Sequence, residues 1–443
     1  MTFSDFKNKV FEKALSSGCE AAEIFMRDTE ELTVDVREGA LDSYNSSRAA
    51  GATLRVKKDG RDGYYYTEAF DDPEAAVARA LDNALFGSAE EHPFALPAVF
   101  PEIADSDQTA EHMGANDMIA LAHDAERLCK ETDPRVSFVD GSQAVSEKQT
   151  TYISNTLGLE ATFDSSLFAT VVSPVVKEGE ETHDSFAFAV GKDALSPRSL
   201  AERAVGLAVA KFGASPVPSG VYRIVINGRA AASLIGAFSP QFSASAAQKG
   251  LSPLAGKEGE IIAAPCVSFT DDPLYSYMPR PFDDEGTPSR TTEVVKDGKL
   301  VTLLHNLKTA KKAGCASTSN ASRATAQSPV SVSPSNFLMK CGEKSLDALL
   351  LDMENGLLIT SFSGLHAGAE SPTGHFSLLA TGFEVKDGKT CAPVERITVA
   401  GNFNELLKNV TAVGNDLFLS IPSGSVFGAP SIYIESGLTV SGK

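Results

Sequence analysis

The dipeptide Asp59-Gly60, set between "ATLRVKK" and "RDGYYYT", constrains the fold of this chain more than any other stretch. Two β-prone runs that meet at a turn requiring positive φ close as an antiparallel hairpin. Similar turns return as "KDGKL" at 296–300, "ENGLL" at 354–358 and "KDGKT" at 386–390, each flanked by apolar or β-branched residues. The second half of the chain is therefore expected to be rich in sheet, with antiparallel or mixed pairing.

Helical patterns punctuate these strands. "MTFSDFKNKVFEKALSSG" sets Phe3, Phe6, Val10 and Leu15 near one face of a helix stopped by Gly18. "AAEIFMR" and "ELTVDVREG" follow as two strands, the second alternating Leu32, Val34 and Val36 with polar neighbours. "DDPEAAVARALDNALFG" carries an acidic cap, Pro73 in the first turn and Gly87 at the stop. A loop rich in Pro, Ala and acid over 88 to 112 leads to a second cycle: the helix "NDMIALAHDAERLCKETDP", strands turning at Asn155 and Gly158, and the helix "SPRSLAERAVGLAVAKFG". "RALDNALFG" at 79–87 lines up with "RAVGLAVAKFG" at 203–213, the echo that a diverged duplication leaves.

"ASPVPSG" at 214–220 is the best linker. It divides the chain into an N-terminal α+β domain, 1–215, with subdomains at about 1–90 and 113–215, and a β-rich C-terminal domain, 220–443. The second domain opens on the strand "VYRIVI" and a helix of small residues, and has one late helix, "NFNELLKNV". The fold class is α+β.

A net charge of -19 disfavours direct contact with nucleic acid or anionic lipid. Six cysteines without CxxC spacing read as isolated reduced thiols, and no run reaches membrane-spanning length, so a cytoplasmic location is expected.

Chemistry is sparse. Asp283, Asp284 and Glu285 in "RPFDDEGTPSR" lack the loop spacing of a calcium or magnesium site and read as an ion-paired turn between Arg280 and Arg290, with Gly286 at the bend. Asp271 and Asp272 before Pro273 suit turn initiation. No HE dipeptide occurs, which excludes the common zinc-peptidase helix, and no G-x-S-x-G elbow or P-loop is present. His366 and His375, with Glu370 between them, are candidate metal or peptide contacts, weighed against the commoner reading of surface loop residues.

"LSPLAGKEGE", "FTDDP", "FDDEGTPSR" and "TGHFSLLATGFEVKDGK", together with "GATLRVKKDGRDGYYYT" and "ISNTLGLEATF", resemble the TldD/PmbA family, once described as modulators of DNA gyrase. The resemblance implies two related subunits that pair: a TldD type with H-E-x-x-x-H on a helix and a later cysteine for zinc, and a PmbA or TldE type without them. The three motif positions fall on Ile235, Gly236 and Pro240, and "PSGSVFGAPS", where the cysteine would stand, has none. Pro240 is expected to bend that helix. The likeness is therefore to the zinc-free type, with no cofactor or catalytic residue in this chain. Zinc, the general base and cleavage of unfolded or extended peptides would belong to a TldD-type partner. Asp271, Asp272, Asp283, Asp284, Glu285, Gly286 and Arg290 would then be structural signature residues. The alternative is a stand-alone peptide-binding protein, including a homodimer, offering strand edges to extended peptides.

Overall fold

The computed structural model describes residues 1–87, 89, 91–103, 107–275 and 277–443. Within the expected 88–112 loop, positions 88, 90 and 104–106 lie outside the described residues, as does Ser276 at the end of "FTDDPLYS".

The Asp59-Gly60 hairpin forms as its sequence requires: Lys58 pairs with Arg61, and both turn residues have positive φ. It belongs to an antiparallel sheet built from β1 (Ala21–Arg37), β2 (Ala40–Lys58), β3 (Arg61–Thr67), β4 (Val136–Asn155), β5 (Glu160–Glu178), β6 (Glu181–Asp184) and β7 (Ala187–Val190). The strand order is β3-β2-β1-β4-β5-β6, with β7 also on β5. The two strands expected at "AAEIFMR" and "ELTVDVREG" are one continuous β1. The polar run Asp28–Glu31 between them contains no Gly or Pro, and its backbone is held on both sides, by β2 and by β4.

Alternation decides what each face of β1 meets. Its even positions carry Ala22 and Ile24 into a core with α1 (Phe3–Ser16) and α2 (Pro73–Ala84). The same face carries Val34 and Val36 into a second core with α4 (Ala115–Thr132) and α5 (Pro197–Val209), which follow the short α3 (Thr109–His112). The order helix, strands, helix thus occurs twice, and the two units meet through the β1–β4 pairing. The odd positions Glu23, Phe25 and Arg27 point the other way, toward the rest of the chain. Phe25 packs there with Ala95, Ile153, Leu159, Phe282 and Ala326.

Strands from Gly220 onward form separate sheets. β8 (Gly220–Val221), β9 (Ile224–Ile226), β16 (Gly356–Ser363), β17 (His375–Lys386), β18 (Lys389–Asn402), β19 (Val410–Val413), β22 (Ile432–Ile434) and β23 (Thr439–Ser441) make one of order β19-β22-β9-β16-β17-β18-β23-β8. β10 (Phe269–Asp271), β11 (Thr292–Lys296), β12 (Lys299–Leu300), β15 (Asn336–Met339), β20 (Phe418–Leu419) and β21 (Val426–Ala429) make the other, of order β12-β11-β10-β15-β21-β20. Pairing is mixed, because β9–β16 and β15–β21 are parallel. β13 (Ala321–Ser322) and β14 (Ser331–Val332) form a small ribbon beside them.

One apolar core joins the two larger sheets, and α6 (Gly228–Phe238) supplies seven of its residues' neighbours and members, among them Leu234, Ile235 and Phe238. Asn227 caps α6 by accepting from Ala230 N. The "AAASLIGAF" face is small and apolar, so it can lie close between the sheets. No helix among the described residues is long and apolar enough to cross a membrane.

Candidate functional site: a buried ionic knot and the cleft above it

The three adjacent acids are buried, and each has its own partners. Gly286, at φ +78, closes a tight turn in which Gly286 N donates to Asp283 O, so three consecutive side chains leave in different directions. Asp283 turns back on its own loop, where its carboxylate accepts from Glu285 N at 3.0 Å and Thr287 N at 2.9 Å, and it also accepts from Ala321 N of β13 at 3.0 Å. Asp284 reaches across to the N-terminal sheet, where Arg27 Nη2 donates to both its oxygens at 3.0 Å. Arg323 N completes that carboxylate at 2.7 Å, and Arg27 Nη1 donates to Arg323 O at 2.9 Å. Glu285 accepts from Leu307 N at 2.8 Å and meets His92 Nε2 at 2.5 Å.

The knot extends along the odd face of the sheet. Arg55, 2 % exposed, donates to Asp62 at 3.0 Å and stacks over Phe94 with its guanidinium carbon 4.0 Å from the ring centre. Glu23 is buried beside it. Burial raises the Glu23 carboxyl, and burial also pushes Asp283 and Glu285 up, each to about 7. His92 moves the other way, down to about 3, because burial and the nearby Arg55 charge disfavour an imidazolium. A neutral His92 between Glu285 on one side and the Tyr64 hydroxyl and Asp62 on the other is consistent with these shifts.

The remaining signature residues sit around this knot. Asp271 is buried at the end of β10 and accepts from Ser335 N, Ser335 Oγ and Asn320 Nδ2. Asp272 holds the following turn through Leu274 N and accepts from Thr291 Oγ1. Arg290 is exposed and donates to Ser317 O, so the guanidinium that pairs with an acid of this run is that of Arg27 rather than of this sequence neighbour. Arg280 donates to Ser319 O at 3.4 Å.

Above the knot lies a cleft of about 570 Å³ between the odd face of the N-terminal sheet and the C-terminal loops. Arg27, Arg280, Arg323 and Asp284 line it, with Glu147 and Thr151 from β4 and Ser423–Ser425 from the loop entering β21. Burial raises the Glu147 carboxyl. The serines of the cleft are drawn from four separate segments, 165–166, 322, 331–335 and 423–425.

Of the expected motif positions 235, 236 and 240, Gly236 faces β21, Ile235 is in the core and Pro240 is exposed. Ile235 is buried in the core, and a Cβ at Gly236 would stand 3.0 Å from the Phe427 ring. Pro240 does not bend the helix. α6 ends at Phe238, and Pro240 opens the short 3-10 turn Ser239–Phe242, where its missing N–H costs nothing. His366 is exposed on the short helix Leu365–Gly368 and His375 is exposed at the start of β17; neither imidazole has a hydrogen bond or ion pair among the described residues. No group of three His, Cys, Asp or Glu side chains among the described residues is arranged to hold a metal.

Sequence reasoning missed Arg27, Arg55, His92 and Arg323. Arg27 and Arg55 did leave a trace, as lone cations in the apolar runs "AAEIFMR" and "ATLRV". His92 and Arg323 sit in loops whose partners are distant in sequence, and nothing local marks them.

Three family models match the chain in order: PmbA/TldA metallopeptidase domain 1 over 22–84, the central domain over 109–212 and the C-terminal domain over 219–442. Among solved structures, one described as a modulator of a DNA gyrase from Thermotoga maritima MSB8 superposes with a TM-score of 0.91 at 31 % identity, covering 99 % of this chain and 100 % of that one. A metalloprotease of Methanothermobacter thermautotrophicus is 28 % identical over 91 % of this chain and 89 % of its own length. The metalloprotease PmbA of Escherichia coli O157:H7 is 24 % identical over 93 % of this chain and 92 % of its own length.

Proposed function

The chain belongs to the PmbA/TldD metallopeptidase family, and we propose that within it this is the zinc-free PmbA/TldE-type subunit, paired in the cytoplasm with a zinc-bearing TldD-type subunit that cleaves unfolded or extended peptides. The observation that carries this reading is the packing at the family's metal positions. Zinc in peptidases is held by imidazole, thiolate or carboxylate. Ile235 and Gly236 offer none of these, Pro240 lies past the helix, and residues 422–431 contain no cysteine. The Phe427 ring lies against Gly236, where the family's general base would need to point into a polar site. The residues present do not fit zinc, and no catalytic step is assigned to this chain.

The cleft supports a role in handling peptide. Its hydroxyls and guanidinium groups offer hydrogen-bond partners of the sort that an extended backbone uses. The same hydrogen-bonding groups also suit the second reading, a stand-alone peptide-binding protein. Metal content and peptide hydrolysis, measured on the chain alone and after mixing with a TldD-type subunit, separate the two. The proposal expects neither zinc nor turnover alone, and both, with a co-eluting complex, in the mixture. Failure to form any complex, with peptide binding retained, selects the stand-alone reading. Stoichiometric zinc and turnover by the chain alone overturn both.

A further inference from the structure

Of the three guanidinium groups of the cleft, one is hydrogen-bonded to a carboxylate among the described residues. Arg27 is held by Asp284 through two hydrogen bonds. Arg323 is 4 % exposed, yet among the described residues its one side-chain hydrogen bond goes to a neutral acceptor, Ser328 O at 3.0 Å, and its guanidinium lies over the Phe25 ring with its carbon 4.9 Å from the centre. Arg280 has the single 3.4 Å bond to Ser319 O. Neither Arg280 nor Arg323 makes an ion pair, and the Nε atoms of both are buried without a hydrogen-bond partner, among the described residues. Burying a guanidinium with an unused donor is costly, and a site that tolerates it is poised to repay the cost when an acceptor arrives.

The surroundings specify the acceptor. Arg presents a planar fork suited to a two-oxygen anion. Ser322, Ser331, Ser333, Ser423 and Ser425 stand around the same space, which sits within the roughly 300–1,000 Å³ of ordinary ligand sites. On a chain of net charge -19, two neighbouring guanidinium groups that hydrogen-bond no carboxylate among the described residues, and feel Asp271, Asp283, Glu23 and Glu285 only through space, also contrast with the field around them.

We infer that the cleft is a carboxylate-reading peptide site, in which Arg280 and Arg323 bind an acidic group of an extended peptide while the surrounding serines meet its backbone. The inference rests on the peptide-handling reading above and narrows it to a chemical class. Arg280 is the half-buried, accessible member, and Arg323 is fixed in place by the knot and by Phe25.

The test uses the full chain and fluorescently labelled hexapeptides in anisotropy titrations. One peptide is neutral with a free C-terminus, one is the same peptide amidated, and one is amidated with an internal Glu. The expected result is binding about tenfold tighter for a carboxylate-bearing peptide than for the amidated neutral one, the factor a single charge-assisted hydrogen bond sustains. Comparing the two carboxylate-bearing peptides tells a terminal carboxylate from a side-chain one. Arg280→Ala should reduce that preference to near unity, and Arg280→Lys, which keeps the charge without the fork, should retain part of it. Equal binding of all three peptides, or a preference that survives in both Arg280 variants, overturns the carboxylate inference and leaves peptide binding standing. No binding of any peptide overturns both. Displacement by inorganic phosphate at concentrations where acetate is inert also overturns it, by showing a tetrahedral-anion site.

Discussion

The Arg27–Asp284 pair joins the N-terminal sheet to the C-terminal domain by two charge-assisted hydrogen bonds, and its removal should be costly. The side chains are 14 % and 10 % exposed, so the pair falls outside the class of surface salt bridges, which contribute about 0–1 kcal/mol. Replacing Arg27 by Met deletes two charge-assisted bonds to Asp284 and one to Arg323 O. It leaves the Asp284 carboxylate with one remaining donor, Arg323 N. Breaking one side of a buried pair costs about 3–5 kcal/mol, chiefly through the charge left behind. That origin makes a second prediction: adding Asp284→Asn to Arg27→Met removes the stranded charge and should recover at least ~2 kcal/mol, an amount within reach of coupled neighbours. Urea unfolding followed by far-ultraviolet circular dichroism reads both. Because the pair bridges two sheets, Arg27→Met should also split the transition, the N-terminal sheet and C-terminal domain unfolding at different midpoints. A loss below about 1 kcal/mol with an unsplit transition, or a double variant no better than the single, would refute the buried-pair argument.

Other consequences are as specific. Asp283, raised to about 7 from 3.8, stays protonated in the folded chain where the unfolded chain has ionised, so its contribution to stability declines as pH rises from about 4 to 7 and then levels. Glu285 and His92 hold one proton between them when folded and also one when unfolded between pH 4.5 and 6.5, so that pair adds little slope there. Melting temperatures across this range should show the decline, and Asp283→Asn should flatten it; an unchanged slope in the variant removes Asp283 as the cause. Gly286→Ala should cost about 1–3 kcal/mol in urea unfolding, since its φ of +78 strains any Cβ and that Cβ would stand 2.5 Å from Leu159. A near-neutral outcome would mean that the turn can relax away from the N-terminal sheet. Gly236→Glu, which places an acid where the resemblance expects one, should destabilise by about 1–3 kcal/mol against Phe427 and take up no zinc by elemental analysis. Zinc uptake by that variant would show that a ligand set is present after all.

How much of this was legible in the sequence depended on the range of the interaction. Hairpins at Asp59-Gly60 and Asp387-Gly388, the caps of α1 and α2, and the turn at Asn155 are decided within a few residues, and all form where the pattern puts them. Continuity of β1 was misread because its polar middle looks like a break until both neighbouring strands are known to be there. The same limit governed the site. The tight turn at Gly286 was visible, as was the need of three acids for partners. Their partners, however, lie about 190 to 260 positions back in the chain for His92 and Arg27, and the nearby Arg290 was a misleading substitute. Pro240 was misplaced because a helix boundary at Phe238 is set by the 3-10 turn that Pro240 itself starts.

The signature "FDDEG" acquires a role from these contacts that does not require metal. Asp283 is used within its own loop to shape the turn, which leaves Asp284 and Glu285 free to clasp Arg27 and His92 on the opposite side of the domain junction. Apolar contact between Phe25, Phe282 and Leu159 would hold the sheet against the C-terminal domain, but such contact tolerates sliding. The directional contacts do not, because a shift that breaks the Arg27–Asp284 pair strands a buried charge and one that breaks the Glu285–His92 hydrogen bond leaves a buried polar group unpaired. Arg27 and Asp284 also form part of the cleft wall, and Arg323 joins both structures. The geometry of the cleft is thereby fixed by the same bonds that fix the domains. A catalytically silent member of a peptidase pair would still need that arrangement if its task is to present a peptide in a defined place.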